Sequence, residues 1–371
     1  MAETEVGGLA VLDQPKDLAP NNLMELNAVI PREYFKPVLS KAIGAVCVTL
    51  GLSAAAVVLA IWSWQQASWV WMPVSWWLSG FAITSLFVVA HDCAHLSFLS
   101  SRQANFWLGH TLMLPTLYPF HAWRFSHNAH HGRTNCFDEE TDIMYCDNAW
   151  LPHSTDWFRK TWANQRVMGL VYLMCRVCIP IGSSVHAMVM HYWPWWYRPL
   201  HRKPVVFSIL LQLAFTALAV WGIVHFSGSW WGLVHFAVIP WAFFQCWMSV
   251  YTFLHHTADD IPLFSKETWT AVNGQLHGTL NCRFPRWISF CHHAIDIHIP
   301  HHIAVNIPSY HLEAASRSLQ ESSFRPYVRE IPFTWRYLFR QIYQCVWYEP
   351  SSRLYQPLNQ LSSVTQKPQA V

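Results

Sequence analysis

Histidine is the residue type through which this chain can do chemistry. His91 and His95 lie four apart in HDCAH, His127, His130 and His131 fall at i, i+3 and i+4 in HNAHH, and His298, His301 and His302 repeat that spacing in HIPHH. Neutral imidazole is a common nitrogen ligand for zinc, copper and iron, and residues three or four apart on a helix project from one face. The first two clusters therefore read as helical, each aiming its rings into one pocket. Pro300 disfavours helical geometry at Ile299 and suits a first helical turn, so His301 and His302 are expected on that turn and His298 on a loop or cap leading in.

Histidines can also do no more than satisfy core hydrogen bonds or face lipid headgroups, but three clusters of this spacing favour a metal. Eight imidazoles exceed what one tetrahedral or octahedral ion accepts, so two metals sharing a pocket are expected. Structural zinc sites favour sets that include cysteine, and hydrolytic zinc sites often include a carboxylate. An all-nitrogen pair suits iron and oxygen chemistry.

The elements that must position these histidines are membrane helices. The chain has 371 residues, 53% of them hydrophobic and 16% aromatic, with only 12% charged, which is not a soluble composition. A bilayer core needs about 20 mostly apolar residues. Ala42–Trp62, Met72–Ala90, Val205–Phe226 and Trp230–Leu254 meet that need, with Pro240 expected to kink the last. None contains Asp, Glu, Lys or Arg, nor do the short loops joining the first to the second and the third to the fourth. By the positive-inside rule the termini and the long central segment lie in the cytoplasm, and every histidine cluster faces that side.

The expected fold is thus an all-α membrane protein, with four transmembrane helices in two hairpins and a helical cytoplasmic cap that holds the polyhistidine site. Residues 1–40 read as a polar cytoplasmic segment, 41–320 as the transmembrane and cap domain, and 321–371 as a cytoplasmic tail. Phe106–Phe120 is too short to span and reads as a partly inserted hairpin, and Met168–Met190 as an interfacial helix. Trp193–Pro204 mixes tryptophans with Arg198, Arg202 and Lys203, a composition suited to the headgroup layer. Residues 1–30 show no basic region followed by an apolar core, so no secretory signal is expected.

Several residues have roles weighed against simpler ones. Asp92 is expected to accept an imidazole N–H, and Asp296 to do the same near His298. The run Asp138, Glu139, Glu140 and Asp142 either extends that set or is a solvated loop. Cys175 and Cys178 form a lone C-x-x-C without a βαβ context and read as buried hydrophobes. His110, His121, His186, His225 and His235 read as structural.

At this point the residues carry a resemblance. The three boxes, in this order and approximate spacing over residues 40–320, resemble the membrane fatty acid desaturase family and its hydroxylase relatives. HDCAHLSF at His91–Phe98, HNAHHGRTN at His127–Asn135, FLHHT at Phe253–Thr257 and IHIPHHIAVNIPSYHL at Ile297–Leu312 are similar to cyanobacterial-type acyl-lipid Δ12 (omega-6) desaturases. The resemblance implies two non-haem irons, O2 as co-substrate and removal of two hydrogens from an acyl chain, most specifically at Δ12 of an oleoyl chain to give linoleoyl. It implies His91, His95, His127, His130, His131, His298, His301 and His302 as ligands. A ninth ligand is implied from the end of the fourth span, where His256 fits, with His255 the runner-up and His292 or His293 as alternatives.

The acyl chain would occupy an apolar tunnel. No haem-domain signature or iron–sulfur cysteine set is present, so electrons are expected from a separate ferredoxin or cytochrome b5. Arg198, Arg202, Lys203, Arg283 and Arg286 could steer an acidic carrier or attract anionic lipid. No nucleic-acid partner is expected, and the membrane is bacterial cytoplasmic or thylakoid. The rivals are a di-iron hydroxylase, acetylenase, conjugase or carotenoid oxygenase, which ligands alone do not separate. A histidine-rich metal transporter would instead carry ionisable groups within its spans, where only His225 and His235 occur.

Overall fold

The computed structural model describes residues 19–137, 188, 190–345, 347–349 and 354–357. The segment 168–187, the Cys175/Cys178 pair, His186 and the acidic run Asp138–Asp142 lie outside them. The described residues are mostly helical. A short helix, α1 (Leu23–Ala28), precedes α2 (Leu39–Gln65) and α3 (Trp71–Ala94), followed by α4 (Arg102–Met113) and α5 (Phe120–Gly132). Then come α6 (Pro199–Ser227), α7 (Trp231–His256), α8 (Arg286–Cys291), α9 (His298–Ile303), α10 (Ser309–Gln320) and α11 (Trp335–Gln344). Four of these, α2, α3, α6 and α7, are long and apolar enough to cross a membrane.

Each spanning helix runs past the apolar stretch that defines it. α3 continues four residues beyond Ala90, which carries His91 on its last turn and leaves His95 as its C-cap. α7 continues to His256 and so delivers His255 and His256 on its last turn. α6 begins at Pro199, so Pro204, expected in an interfacial segment, lies inside a helix. Before it, Trp193 and Trp195 are exposed, while Tyr197 is buried and donates its hydroxyl to the carbonyl oxygens of Ala122 and Met190.

Pro240 perturbs α7, but as a change of helical winding. Proline removes an N–H and crowds the preceding turn. The backbone answers with a π-helical turn over Val234–Val238 immediately before α-helical winding resumes at Ile239. His235, in that turn, receives the Trp76 indole N–H at Nδ1 (2.9 Å) and donates from Nε2 to the carbonyl of Ala60 (2.9 Å). One buried imidazole thereby joins α2, α3 and α7, consistent with a structural role.

α3 is the central helix, packing against α2, α4 and α7. Its close approach to α7 depends on Gly80, where an added Cβ would lie 2.4 Å from Phe243 Cβ, 2.8 Å from the Phe244 nitrogen and 2.8 Å from the Pro240 carbonyl oxygen. Small residues at such crossings let backbones meet, which compensates for the weak hydrophobic drive between helices in lipid. The main core runs from this crossing through Phe87, Phe98, Phe244 and Phe253 to Leu338 of α11.

Residues at both ends of the chain pack on this frame. Leu26 of α1 is buried with Ile299, Ile303 and Leu312. Glu330–Pro332 pairs in parallel with Asn281–Arg283, and Cys136–Phe137 with Phe264–Ser265, adding short strands to the helical frame. Arg329 bridges Asp260 at 2.5 Å, and Gln341 accepts the Asp259 N–H at 3.1 Å, tying α11 to the chain just after α7.

The α3–α7 crossing yields a stability test. Gly80→Ala is expected to cost about 1–3 kcal/mol, as overpacking does, and to lower the unfolding temperature of the detergent-solubilised protein. Gly44→Ala, where nothing lies within 4 Å of the added carbon, is expected to leave it unchanged.

Candidate metal centre

Three long elements bring their C-terminal ends together. α3 supplies His91 and His95, α5 supplies His127, His130 and His131 from its last turns, and α7 supplies His256. The short α9 faces them with His298, His301 and His302. His298 is the first residue of that helix and not part of a leading loop, which corrects the expectation drawn from Pro300. A proline at the third helical position is tolerated because first-turn N–H groups have no intrahelical partner. Asn281 meets that need here: its Oδ1 accepts the N–H groups of His298 and Ile299, each at 2.8 Å.

Nine ring nitrogens converge in two groups. His91, His95, His127, His131 and His301 form one, and His130, His256, His298 and His302 the other, with ligand atoms within 4.8 Å of one another in each. Nε2 atoms face each other at 3.0 Å for His91–His127, 3.0 Å for His127–His131 and 3.1 Å for His131–His301. In the second group His298 faces His256 at 3.0 Å and His302 at 2.9 Å.

A ring nitrogen carries one proton or one lone pair. His127, His131 and His298, whose Nε2 atoms each face two others, cannot make two well-directed hydrogen bonds apiece. A cation takes every lone pair at once. Nitrogens about 2.0–2.1 Å from a shared ion stand about 2.9 Å apart at right angles and about 3.4 Å apart in a tetrahedron, so the spacing suits five or six ligands better than four.

The outer nitrogens fix which lone pairs point inward. His91 Nδ1 donates to Asp92 Oδ1 at 3.1 Å, and Asp92 Oδ2 also accepts the Ser309 N–H at 2.6 Å. His302 Nδ1 donates to Gln275 Oε1 at 2.6 Å, and His256 Nδ1 to the Gly278 carbonyl at 3.2 Å. With Nδ1 protonated, Nε2 is left as a lone pair directed into the group. His95 Nε2 is enclosed and has no hydrogen-bond partner among the described residues. The residues present thus fit two metal ions.

Burial and mutual proximity keep six of these rings neutral. Desolvation, followed by the neighbouring histidines, holds His95, His127, His131, His298, His301 and His302 well below the usual imidazole range. Neutral imidazole is the form that binds a metal.

Other expected residues stand apart. His255 stacks on His298 with ring centroids 4.1 Å apart but belongs to neither group. His292 bonds the Tyr251 hydroxyl (2.8 Å) and the Phe81 carbonyl (3.0 Å), while His293 reaches Thr49 (2.6 Å) and Ser85 (3.1 Å). Both are engaged in bridging helices. Asp296 does not serve His298: its carboxylate accepts the Phe284 N–H at 3.1 Å and the Ser289 hydroxyl at 2.6 Å, because its loop turns it away from α9.

Gln275 and Asn281 were not visible as site residues in the sequence. Gln275 holds His302, accepts the Thr134 hydroxyl at 3.1 Å and donates to the His131 carbonyl, linking both groups. A single amide in an unremarked segment carries no motif that would signal this.

Comparison with known proteins agrees with the geometry. The family model described as fatty acid desaturase matches residues 66–335. An sn-1 oleoyl-lipid 12-desaturase of Synechocystis sp. is 36% identical over 341 residues, 91% of this chain and 92% of the relative. One of the same name from Arthrospira platensis is 36% identical, covering 83% of each chain. A chloroplastic omega-6 fatty acid desaturase of Glycine max is 34% identical over 88% of this chain and 73% of its own. The family model spans well over half of the sequence and includes all nine converging histidines, and on that ground the chain belongs to the fatty acid desaturase family.

Proposed function

We propose that this desaturase introduces a cis double bond at Δ12 of an oleoyl chain carried by a membrane lipid, giving linoleoyl. The observation that carries the reading is the convergence of nine histidines in two buried groups at the ends of spanning helices. The position and the lipid-linked substrate follow the names of the cyanobacterial relatives.

In this reading His91, His95, His127, His131 and His301 hold one non-haem iron, and His130, His256, His298 and His302 hold the second. Bound iron would supply O2 activation and the removal of two hydrogens from an unactivated acyl segment. The net balance takes one O2, the two hydrogens removed from the acyl chain, two electrons and two protons to two waters and the new double bond, with the electrons delivered by a separate ferredoxin or cytochrome b5.

The protein's own groups orient and insulate. Asp92, Gln275 and the Gly278 carbonyl keep the inward nitrogens deprotonated. Trp123 stacks on His127 with centroids 4.3 Å apart, and Phe87 lies 5.1 Å from Trp123, forming an aromatic wall beside the first group. Such a wall suits an apolar acyl chain and excludes water.

The short connections between α2 and α3 and between α6 and α7 support two hairpins, with the histidine cap on the cytoplasmic side. The one-sided distribution of Lys and Arg favours that orientation. A bacterial cytoplasmic or thylakoid membrane fits the cyanobacterial relatives.

Fatty acid profiling of an oleate-containing, reductant-competent host tests the reaction. New linoleate is expected with the wild type and none with His302→Ala, although that variant still inserts in the membrane. A hydroxylated or differently placed product would reassign the reaction, and normal linoleate from His302→Ala would overturn the metal assignment.

Iron analysis of purified protein tests the ligand set directly. About two irons per chain are expected. His256→Ala is expected to lower that number, whereas His292→Gln leaves it unchanged. Gln275→Ala is expected to weaken iron retention about 10–100-fold, the usual effect of losing a hydrogen-bonding partner of a metal ligand.

A further inference from the structure

The junction of α4, α5 and α6 contains a second set of polar side chains that the metal centre does not use. His110 and His121 are 3% and 7% exposed, with ring centroids 5.0 Å apart. His110 donates its Nδ1–H to the Phe106 carbonyl at 2.8 Å, which leaves Nε2 as an acceptor, enclosed and without a partner among the described residues. His121 Nδ1 is likewise enclosed and unpartnered.

Arg124 follows one turn after His121 on α5. It is half-buried, its Nε is enclosed and unpartnered, and no hydrogen bond or ion pair engages it among the described residues. The charge acting on it most directly is another cation, Arg102. Guanidinium stays charged in proteins, and a partly desolvated charge without a counter-ion is costly. Arg124 is near enough to depress protonation of both histidines, with His121, burial first, pushed down to about 4. His110 and His121 thus meet across α4 and α5 with Arg124 one turn further on, so three enclosed nitrogens without partners among the described residues gather beside two cations.

The surroundings are apolar and border α6. Phe106 of α4 stacks with Phe207 of α6, centroids 6.4 Å apart. His110 sits between Phe106 at 4.3 Å and Phe120 at 4.4 Å. Ser208 fixes α6 to α5 by accepting the His121 N–H at 3.0 Å. Phe207 and Trp107 are 43% and 51% exposed, and Phe207 lies on a helix long and apolar enough to span the bilayer.

We propose that Arg124, His110 and His121 form the polar end of a lipid pocket for an anionic phospholipid with a hydroxylated headgroup, its acyl chains lying against Phe106, Trp107 and Phe207. The phosphate oxygens accept from the Arg124 guanidinium, which suits oxyanions. A turn of the His110 ring brings its enclosed Nε2 to a headgroup hydroxyl that donates to it. The pocket borders the metal centre, since Arg124 precedes His127 by one turn on α5. It rests only on membrane insertion and is independent of where the double bond is placed.

Native mass spectrometry of the full-length protein, released from detergent containing equal amounts of phosphatidylglycerol and phosphatidylcholine, tests this. The wild type is expected to retain phosphatidylglycerol preferentially. Arg124→Gln is expected to lose that preference about tenfold, as removal of a charge-assisted hydrogen bond implies, and Arg124→Lys to keep part of it. Equal retention of both lipids by the wild type overturns the pocket, and needs no variant to fold. Undiminished preference in a folded Arg124→Gln also overturns it, as does displacement of the lipid by inorganic phosphate alone, which would make the spot a site for a free oxyanion.

Discussion

The constraint on which the structure depends is the convergence of nine imidazole lone pairs in a space from which water is largely excluded. Neutral rings whose nitrogens approach to 2.9–3.1 Å gain little from one another. They become favourable neighbours when a cation sits between them. Everything that fixes ring orientation serves that end. Asp92 ties His91 to the start of α10, Gln275 ties His302 to α5, and Asn281 anchors the first turn of α9.

The helices contribute more than position. α3, α5 and α7 all direct their C-terminal ends at the histidine groups. The exposed carbonyls of a helix C-terminus carry a partial negative charge that favours nearby cations. Three such ends converging on one centre supply a field suited to metal ions, and among the described residues no carboxylate joins either histidine group. Apart from His127, one turn further in on α5, the histidines consequently occupy last-turn or capping positions on those three helices.

The crossing of α3 and α7 sets the distance between the two groups. Gly80 lets the backbones meet, the π-turn ahead of Pro240 adjusts the phase of α7, and His256 then arrives opposite His130 and His302, at centroid distances of 4.7 Å to each. One residue of difference in winding would move His256 by about 100° around the axis. His255, its neighbour, shows the result: it stacks behind His298 and lies outside both groups.

Much of this was legible in the sequence because helical periodicity converts spacing directly into shared direction. The i, i+3, i+4 pattern put His127, His130 and His131 on one face of one helix, and uncharged stretches of bilayer length marked four helices able to span. The all-nitrogen make-up of the two converging groups also followed from residue type. What spacing could not supply was the relation between distant segments. The fold decided that His298 begins α9, because the partner of its N–H is Asn281, seventeen residues earlier. It likewise turned Asp296 toward Phe284 and Ser289, spent His292 and His293 on helix bridging, and brought His110 and His121 together. Local periodicity is a property of the chain, whereas hydrogen-bond partners and desolvation arise only once separate segments pack together.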